Sequence, residues 1–151
     1  MIKTLETKEK KFILSRNYIG YLAYIYNNSP FVVPITYFYN EQQNNIICYS
    51  SNGHKINALR KNSATSICIS NIDSVNDWKS IMVIGNFEEH FGSHAKALLH
   101  QFSLGVKDLI LKKENRNLDF ISQFSSKISN DDMPIVFTVS VDEITGRKRK
   151  L

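Results

Sequence analysis

Apolar residues recur along this chain with two periods, and each change of period marks an element. Between Thr4 and Ser15, Leu5, Phe12 and Ile13 share a face, while Glu6, Lys8, Glu9 and Lys10 turn the other way. That spacing predicts a short amphipathic helix ending at Arg16 and Asn17. Tyr18 to Tyr26 is apolar on both faces and interrupted only by Gly20. It reads as a strand covered on both sides, with a bend or bulge at the glycine. Asn27, Asn28 and Ser29 form a turn, and Phe31 to Tyr39 is a second strand entered through Pro30. Pro34 cannot donate a ladder hydrogen bond, which makes this strand an edge or locally irregular. Asn40 to Asn45 is a polar hairpin loop, and Ile46 to Ser50 is a third strand.

The second half continues in kind. Ala64 to Ser70 alternates, with Ile67 and Ile69 on one side and Ser66, Cys68 and Ser70 on the other. Asn71 to Asp77 reads as a polar loop, and Trp78 to His90 as a long strand with a bulge at Gly85. Ser93 is a good N-cap for a helix reaching about Leu111, with Ala95, Leu98, Leu99 and Phe102 at helical spacing and Gly105 as a candidate break. Leu118 to Ser125 reads as a shorter helix or turn. Pro134 opens a last strand in which Ile135, Phe137, Val139 and Val141 alternate with their neighbours. Thr145 to Leu151 reads as a polar, basic tail. Six strands with inserted helices predict a mainly β (α+β) fold, a small antiparallel barrel with peripheral helices.

At 151 residues and 42% hydrophobic, the whole chain is expected to form one domain with one core. The net charge of +5 suits an anionic ligand. Much of the excess sits in Lys8, Lys10 and Lys11 and in Arg147 to Lys150, so nucleic-acid binding through the basic tail ranks last. Cys48 and Cys68 form no CxxC and read as buried, reduced thiols. The start is polar, with no leader-like apolar run, and no stretch is long enough to span a membrane; a cytoplasmic protein is the expectation.

Candidate chemistry concentrates between Ile46 and Asn62. A strand runs into Ser50, Ser51, Asn52 and Gly53, then into a short helix carrying His54, Lys55, Arg60 and Lys61, anchored by Ile56 and Leu59. Gly53 can take the positive φ such a turn often needs. Free backbone N–H groups, serine hydroxyls, a helix N-terminus and Lys55 would suit a phosphate there. From these residues alone an ordinary αβ turn with solvated lysines is the expectation over a phosphate site. The spacing matches neither a Walker loop nor a dinucleotide glycine fingerprint. No nucleophile–base pair stands out. His90 and His94 are four apart across a strand-to-helix break and need not share a face; surface histidines are the expectation over a metal site. Trp78 is either core or the cover of a flat ligand.

Four stretches together resemble the FMN-binding split-barrel family related to pyridoxamine 5′-phosphate oxidase, nearest to its flavin–nucleotide-binding, nitroimidazole-resistance-like branch. They are Ile19 to Ala23, Pro30 to Tyr39, Ile47 to Arg60 and Trp78 to Glu89. The resemblance implies a homodimer with FMN at the interface. It implies that Val33, Pro34, Ile35 and Thr36 run along the isoalloxazine ring, with backbone hydrogen bonds near Pro34. Tyr49, Ser50 and Ser51 would lie by the ring edge and ribityl phosphate, His54 and Lys55 would be the basic phosphate pair, and Ser80 a polar neighbour of the flavin. Relatives often carry His at the place of Tyr49 and Arg at the place of His54, a weaker phosphate contact here. The C-terminal Arg-Leu-x-Pro pattern of true pyridoxamine phosphate oxidases is missing, which speaks against vitamin B6 synthesis. The implied activity is an FMN-dependent oxidoreductase acting on a small molecule such as a nitroaromatic or quinone, with NAD(P)H as a donor. The alternative is a non-catalytic flavin- or haem-binding storage or sensor protein.

Overall fold

The structure, a computed structural model, describes residues 1–115 and 134–151. Among these are nine strands and three helices, in the order β1 (Ile2–Thr4), α1 (Thr7–Arg16), β2 (Ile19–Tyr26), β3 (Ser29–Thr36), β4 (Phe38–Asn40), β5 (Asn45–Ser50), α2 (His54–Lys61), β6 (Ala64–Ser74), β7 (Asp77–His90), α3 (Gly92–Glu114), β8 (Ile135–Ser140) and β9 (Glu143–Lys150). Strands follow the order β3-β2-β6-β7-β8-β5-β4, with β9 against both β7 and β1. Every pairing is antiparallel. This is the predicted mostly antiparallel split-barrel architecture, with more strands than the six expected.

The long β7 organises the sheet. One edge holds β6 throughout, while the other changes partner: Asp77–Ile84 pairs with β9, and Phe87–His90 pairs with β8. Gly85 stands at that change. It is not a bulge, because its register with Thr65 is unbroken. A Cβ there would lie 1.6 Å from the Ser140 carbonyl oxygen, so glycine is required by close approach. Gly20 is likewise in register, opposite Ile35, and its place is set by Ile67, whose methyl group would meet a Cβ at 2.8 Å. Gly105 does not break α3; it lies against the Phe38 ring, which a Cβ would meet at 2.1 Å.

Alternation splits the core in two. Along β5, Ile46 and Cys48 face the barrel interior with Leu22, Ile67, Val83, Phe137 and Val139, whereas Ile47 turns to a second cluster beneath α3. Leu98, Leu99, Phe102, Val106 and Ile110 supply that second layer from one stripe of α3. Burying each such side chain contributes about 1.5–3 kcal/mol, enough to fix α3 on β5 and β8.

Several boundaries differ from the pattern. Thr4 belongs to a strand, and Leu14 rather than Phe12 faces inward from α1; Phe12 is 60% exposed. Phe31 to Tyr39 is two strands, separated at Tyr37, whose hydroxyl donates to the Leu14 carbonyl at 2.7 Å. Pro34 does lie on an edge strand, since β3 ends the sheet order. Asn71 to Asp77 is no loop: β6 and β7 run to a tight hairpin, with one register shift between Ile72 and Ser74. Thr145 to Leu151 is no tail: Thr145 to Lys150 lie within β9. The helix or turn expected at 118–125 lies outside the described residues. Strand β2 is covered on one face only, with Ile19, Tyr21 and Ile25 exposed on the other. Cys48 is buried as expected, but Cys68 is half-buried.

Candidate functional site

Strand β5 delivers the chain to the turn that opens α2. Ser50 is half-buried and donates to the Ser51 carbonyl at 2.9 Å; Ser51 to His54 are exposed. Gly53 has extended backbone, φ 177°, not the positive φ expected, and nothing lies within 4 Å of where its Cβ would be. The position a side chain would take at Gly53 is therefore open among the described residues. The first intrahelical bond runs from the Asn57 amide to the Gly53 carbonyl at 3.0 Å, and no side chain caps the amides before it. These N–H groups carry the positive end of the helix dipole.

Lys55 sits in this first turn, half-buried, and among the described residues it has no carboxylate partner. Burial holds its pKa below the ordinary 10.5, and the nearby Cys48 thiol acts weakly the other way. That thiol is pushed up by its own complete burial, with Lys55 pulling it down, so it stays protonated at neutral pH. A partly desolvated ammonium in the first turn of an uncapped helix, without a carboxylate among the described residues, is suited to an anion. Arg60 is already engaged: its guanidinium makes a two-pronged contact with Glu89, at 2.7 and 2.9 Å. Lys61 lies over the Tyr26 ring.

His54 is held by aromatic residues. Its Nδ1 is 2.9 Å from the Tyr24 hydroxyl, and its ring meets Tyr26 and Phe31 edge-on at 4.8 Å each. Tyr24 and Phe31 stack at 5.4 Å as cross-strand neighbours. The β2–β3 hairpin brings them together, turning at Asn27 and Asn28, both with positive φ. This group was not anticipated. Its signal is present in the sequence: a hairpin centred on Asn27-Asn28 places Tyr24 opposite Phe31.

The other expected residues fall on separate faces. On β3, Val33 and Ile35 turn inward to the core, while Pro34 is exposed and Thr36 half-buried. Tyr49 packs edge-on against Phe102 of α3 at 5.3 Å, and burial raises its pKa to about 12. Ser80 lies three strands from β3 in the sheet order, roughly 14 Å at a strand spacing of about 4.8 Å. Its hydroxyl accepts from Ser70 at 2.9 Å and sits 3.6 Å from the Cys68 sulfur. One chain thus gathers Ser50, Ser51, His54 and Lys55 at the mouth of α2 and carries Ser80 elsewhere on the sheet. Trp78 is half-buried at the β6–β7 hairpin, opposite Ile72 and Arg149.

His90 and His94 do meet, ring to ring at 4.9 Å, with His90 Nε2 2.8 Å from the Thr138 hydroxyl. Burial lowers the His90 pKa. Among the described residues no three ligating side chains gather around a common point. No described helix is long and apolar enough to cross a membrane.

A split barrel with an open, cationic helix mouth defines the class. The pyridoxamine 5′-phosphate oxidase family model matches residues 7–148, and the chain belongs to that family. It is 28% identical to an uncharacterised protein of Rhizobium meliloti (strain 1021), over 97% of this chain and 94% of that protein. The fold is similar to the crystal structure of an FAD-binding protein from Mesorhizobium loti, with TM-score 0.76, 22% identity and coverage of 100% and 98% of the two chains. It is also similar to a candidate 5-nitroimidazole antibiotic resistance protein of Bacteroides thetaiotaomicron, with TM-score 0.69, 17% identity and coverage of 98% and 89%.

Proposed function

We propose that this chain is an FMN-binding protein and a flavin-dependent oxidoreductase acting on a small molecule such as a nitroaromatic or quinone. Half-buried Lys55, without a carboxylate among the described residues, carries the reading, because it and the uncapped amides of α2 fit a phosphate. The FAD-binding neighbour and the family membership support a flavin. Lys55, the α2 amides and the hydroxyls of Ser50 and Ser51 would hold the ribityl phosphate, with His54 beside them. Val33 to Thr36 would offer the ring their backbone groups, since β3 pairs with β2 alone and its other edge is open among the described residues. The bound flavin would supply the electron or hydride transfer itself. The surroundings then need to bind, orient and exclude water, which agrees with a site built from backbone groups and one cation.

A homodimer completes this reading. The outer face of β2, β3 and β7 exposes Ile19, Tyr21, Ile25, Val32 and Met82, an apolar surface that a second copy would cover. The partner's Ser80 face could then reach the flavin that one chain holds at α2.

The test is the visible spectrum of purified protein with FMN, riboflavin and haem. Wild type should bind FMN, and Lys55→Ala should bind it about 10- to 100-fold more weakly, the scale of a lost charged hydrogen bond. Riboflavin, which lacks the phosphate, should discriminate little between the two proteins. Bleaching by NAD(P)H would support the oxidoreductase. Bound flavin that no nicotinamide reduces would favour storage, and a Soret band would favour haem. No FMN binding at any concentration sinks the proposal.

A further inference from the structure

A cavity of about 680 Å³ lies between the C-terminal ends of α1 and α3 and the β6–β7 hairpin. Its size falls within that of small-molecule sites, roughly 300–1,000 Å³. Phe12, Ile72 and Leu109 give it apolar walls, and the first two are 60% and 72% exposed. Among the described lining residues, Arg16, Lys112 and Lys113 bring three cations against the one carboxylate of Asp73. Lys112 is already paired with Asp108 at 2.9 Å. Arg16 has no carboxylate partner among the described residues, and its guanidinium lies over the Phe12 ring at 4.9 Å. Lys113 donates to the Asn17 side-chain oxygen at 2.9 Å. Asn17 is buried, and its own amide donates to the Ile13 carbonyl at 2.8 Å, so Lys113 is oriented by a fixed group.

We propose that this cavity binds a small aromatic carboxylate, with the carboxylate between Arg16 and Lys113 and the apolar body against Ile72 and Leu109. The guanidinium fork matches a carboxylate in two parallel hydrogen bonds, and an ammonium adds a point charge. Ser70 lines the cavity and donates to Ser80, the residue that the proposed dimer would bring to the other chain's flavin. The inference rests on the flavin reading only in regarding the bound carboxylate as a substrate; the binding itself does not.

Benzoate and benzamide match in shape and differ in charge. Each is titrated into ¹⁵N-labelled protein as purified, and amide shifts are followed. Benzoate should move the amides of Arg16, Asn17, Ile72 and Asp73, and benzamide should bind at least tenfold more weakly. Arg16→Gln and Lys113→Gln together should lower benzoate affinity at least tenfold while leaving flavin affinity unchanged. Equal binding of the two probes, shifts centred elsewhere, or a double variant that keeps its benzoate affinity would overturn the proposal. A protein that binds benzoate this way but no flavin would remove the flavin reading and leave the carboxylate site standing.

Discussion

Lys55 is under-solvated in its own fold, and the consequence has a definite sign. Its pKa is lowered, so the charged form is less favourable folded than unfolded. The destabilisation is present while the lysine is charged and disappears as pH rises past its ordinary value of 10.5. A bound phosphate would reverse this by stabilising the ammonium. FMN affinity should therefore fall with rising pH, beginning below 10.5, and Lys55→Met should abolish that dependence; fluorescence titrations across pH 7 to 10 read both. Glycines make a contrasting residue-scale case. Gly85→Ala forces a Cβ into the Ser140 carbonyl and should cost about 3 kcal/mol or more. Gly53→Ala meets nothing within 4 Å and should stay within about 0.5 kcal/mol of wild type. Urea denaturation of the two variants distinguishes a required glycine from a permitted one.

Among elements, β9 departs furthest from its sequence appearance. Thr145-Gly-Arg-Lys-Arg-Lys reads as a solvated tail because its side chains are charged, yet its backbone fills the ladder beside β7 and β1. One of its charges meets a carboxylate: Lys148 lies 3.1 Å from Glu9, which also lies 3.7 Å from Lys79 of β7. The Lys148 hydrogen bond holds the Glu9 carboxyl below the usual range. Gly146 takes the Leu5 amide on its carbonyl, tying the strand to the start of the chain. Deleting residues 147–151 should consequently lower the thermal midpoint by several degrees, because it leaves the edges of β1 and β7 unpaired. A deletion that melted with wild type would mean that residues 147–151 contribute nothing to the fold. The β2–β3 hairpin acts similarly at the other end, positioning Tyr24 and Phe31 against His54.

At the scale of the molecule, the barrel and the α3 layer account for the inward faces, and the outer face of β2, β3 and β7 keeps an apolar surface exposed. Tyr21 and Val32 are 53% and 62% exposed near its middle. The proposed homodimer would bury them. Val32→Glu combined with Tyr21→Arg should give monomers in light scattering where wild type gives dimers, and should weaken FMN if both chains form its site. Dimers that survive the double change would exclude this face as the interface.

Local chemistry determined much by itself. Apolar runs located β2, β5 and β7, alternation located β6 and β8, helical spacing located α1 and α3, and the run from Ser50 to Lys55 marked the helix mouth, because each signal depends on residues close in the chain. Tertiary structure decided what depends on distant residues. Gly20 and Gly85 read as bulges and Gly105 as a break, yet each is set by a group that sequence distance hides: Ile67, the Ser140 carbonyl and Phe38. A charged segment became a strand because β7 offered it an open ladder, which no residue within the segment reports. Lys55 could be seen in the sequence as a cation. Only packing against the buried Cys48 region, with no carboxylate nearby among the described residues, made it an unpaired one, since desolvation and the absence of a partner belong to the surroundings of a side chain and not to its identity.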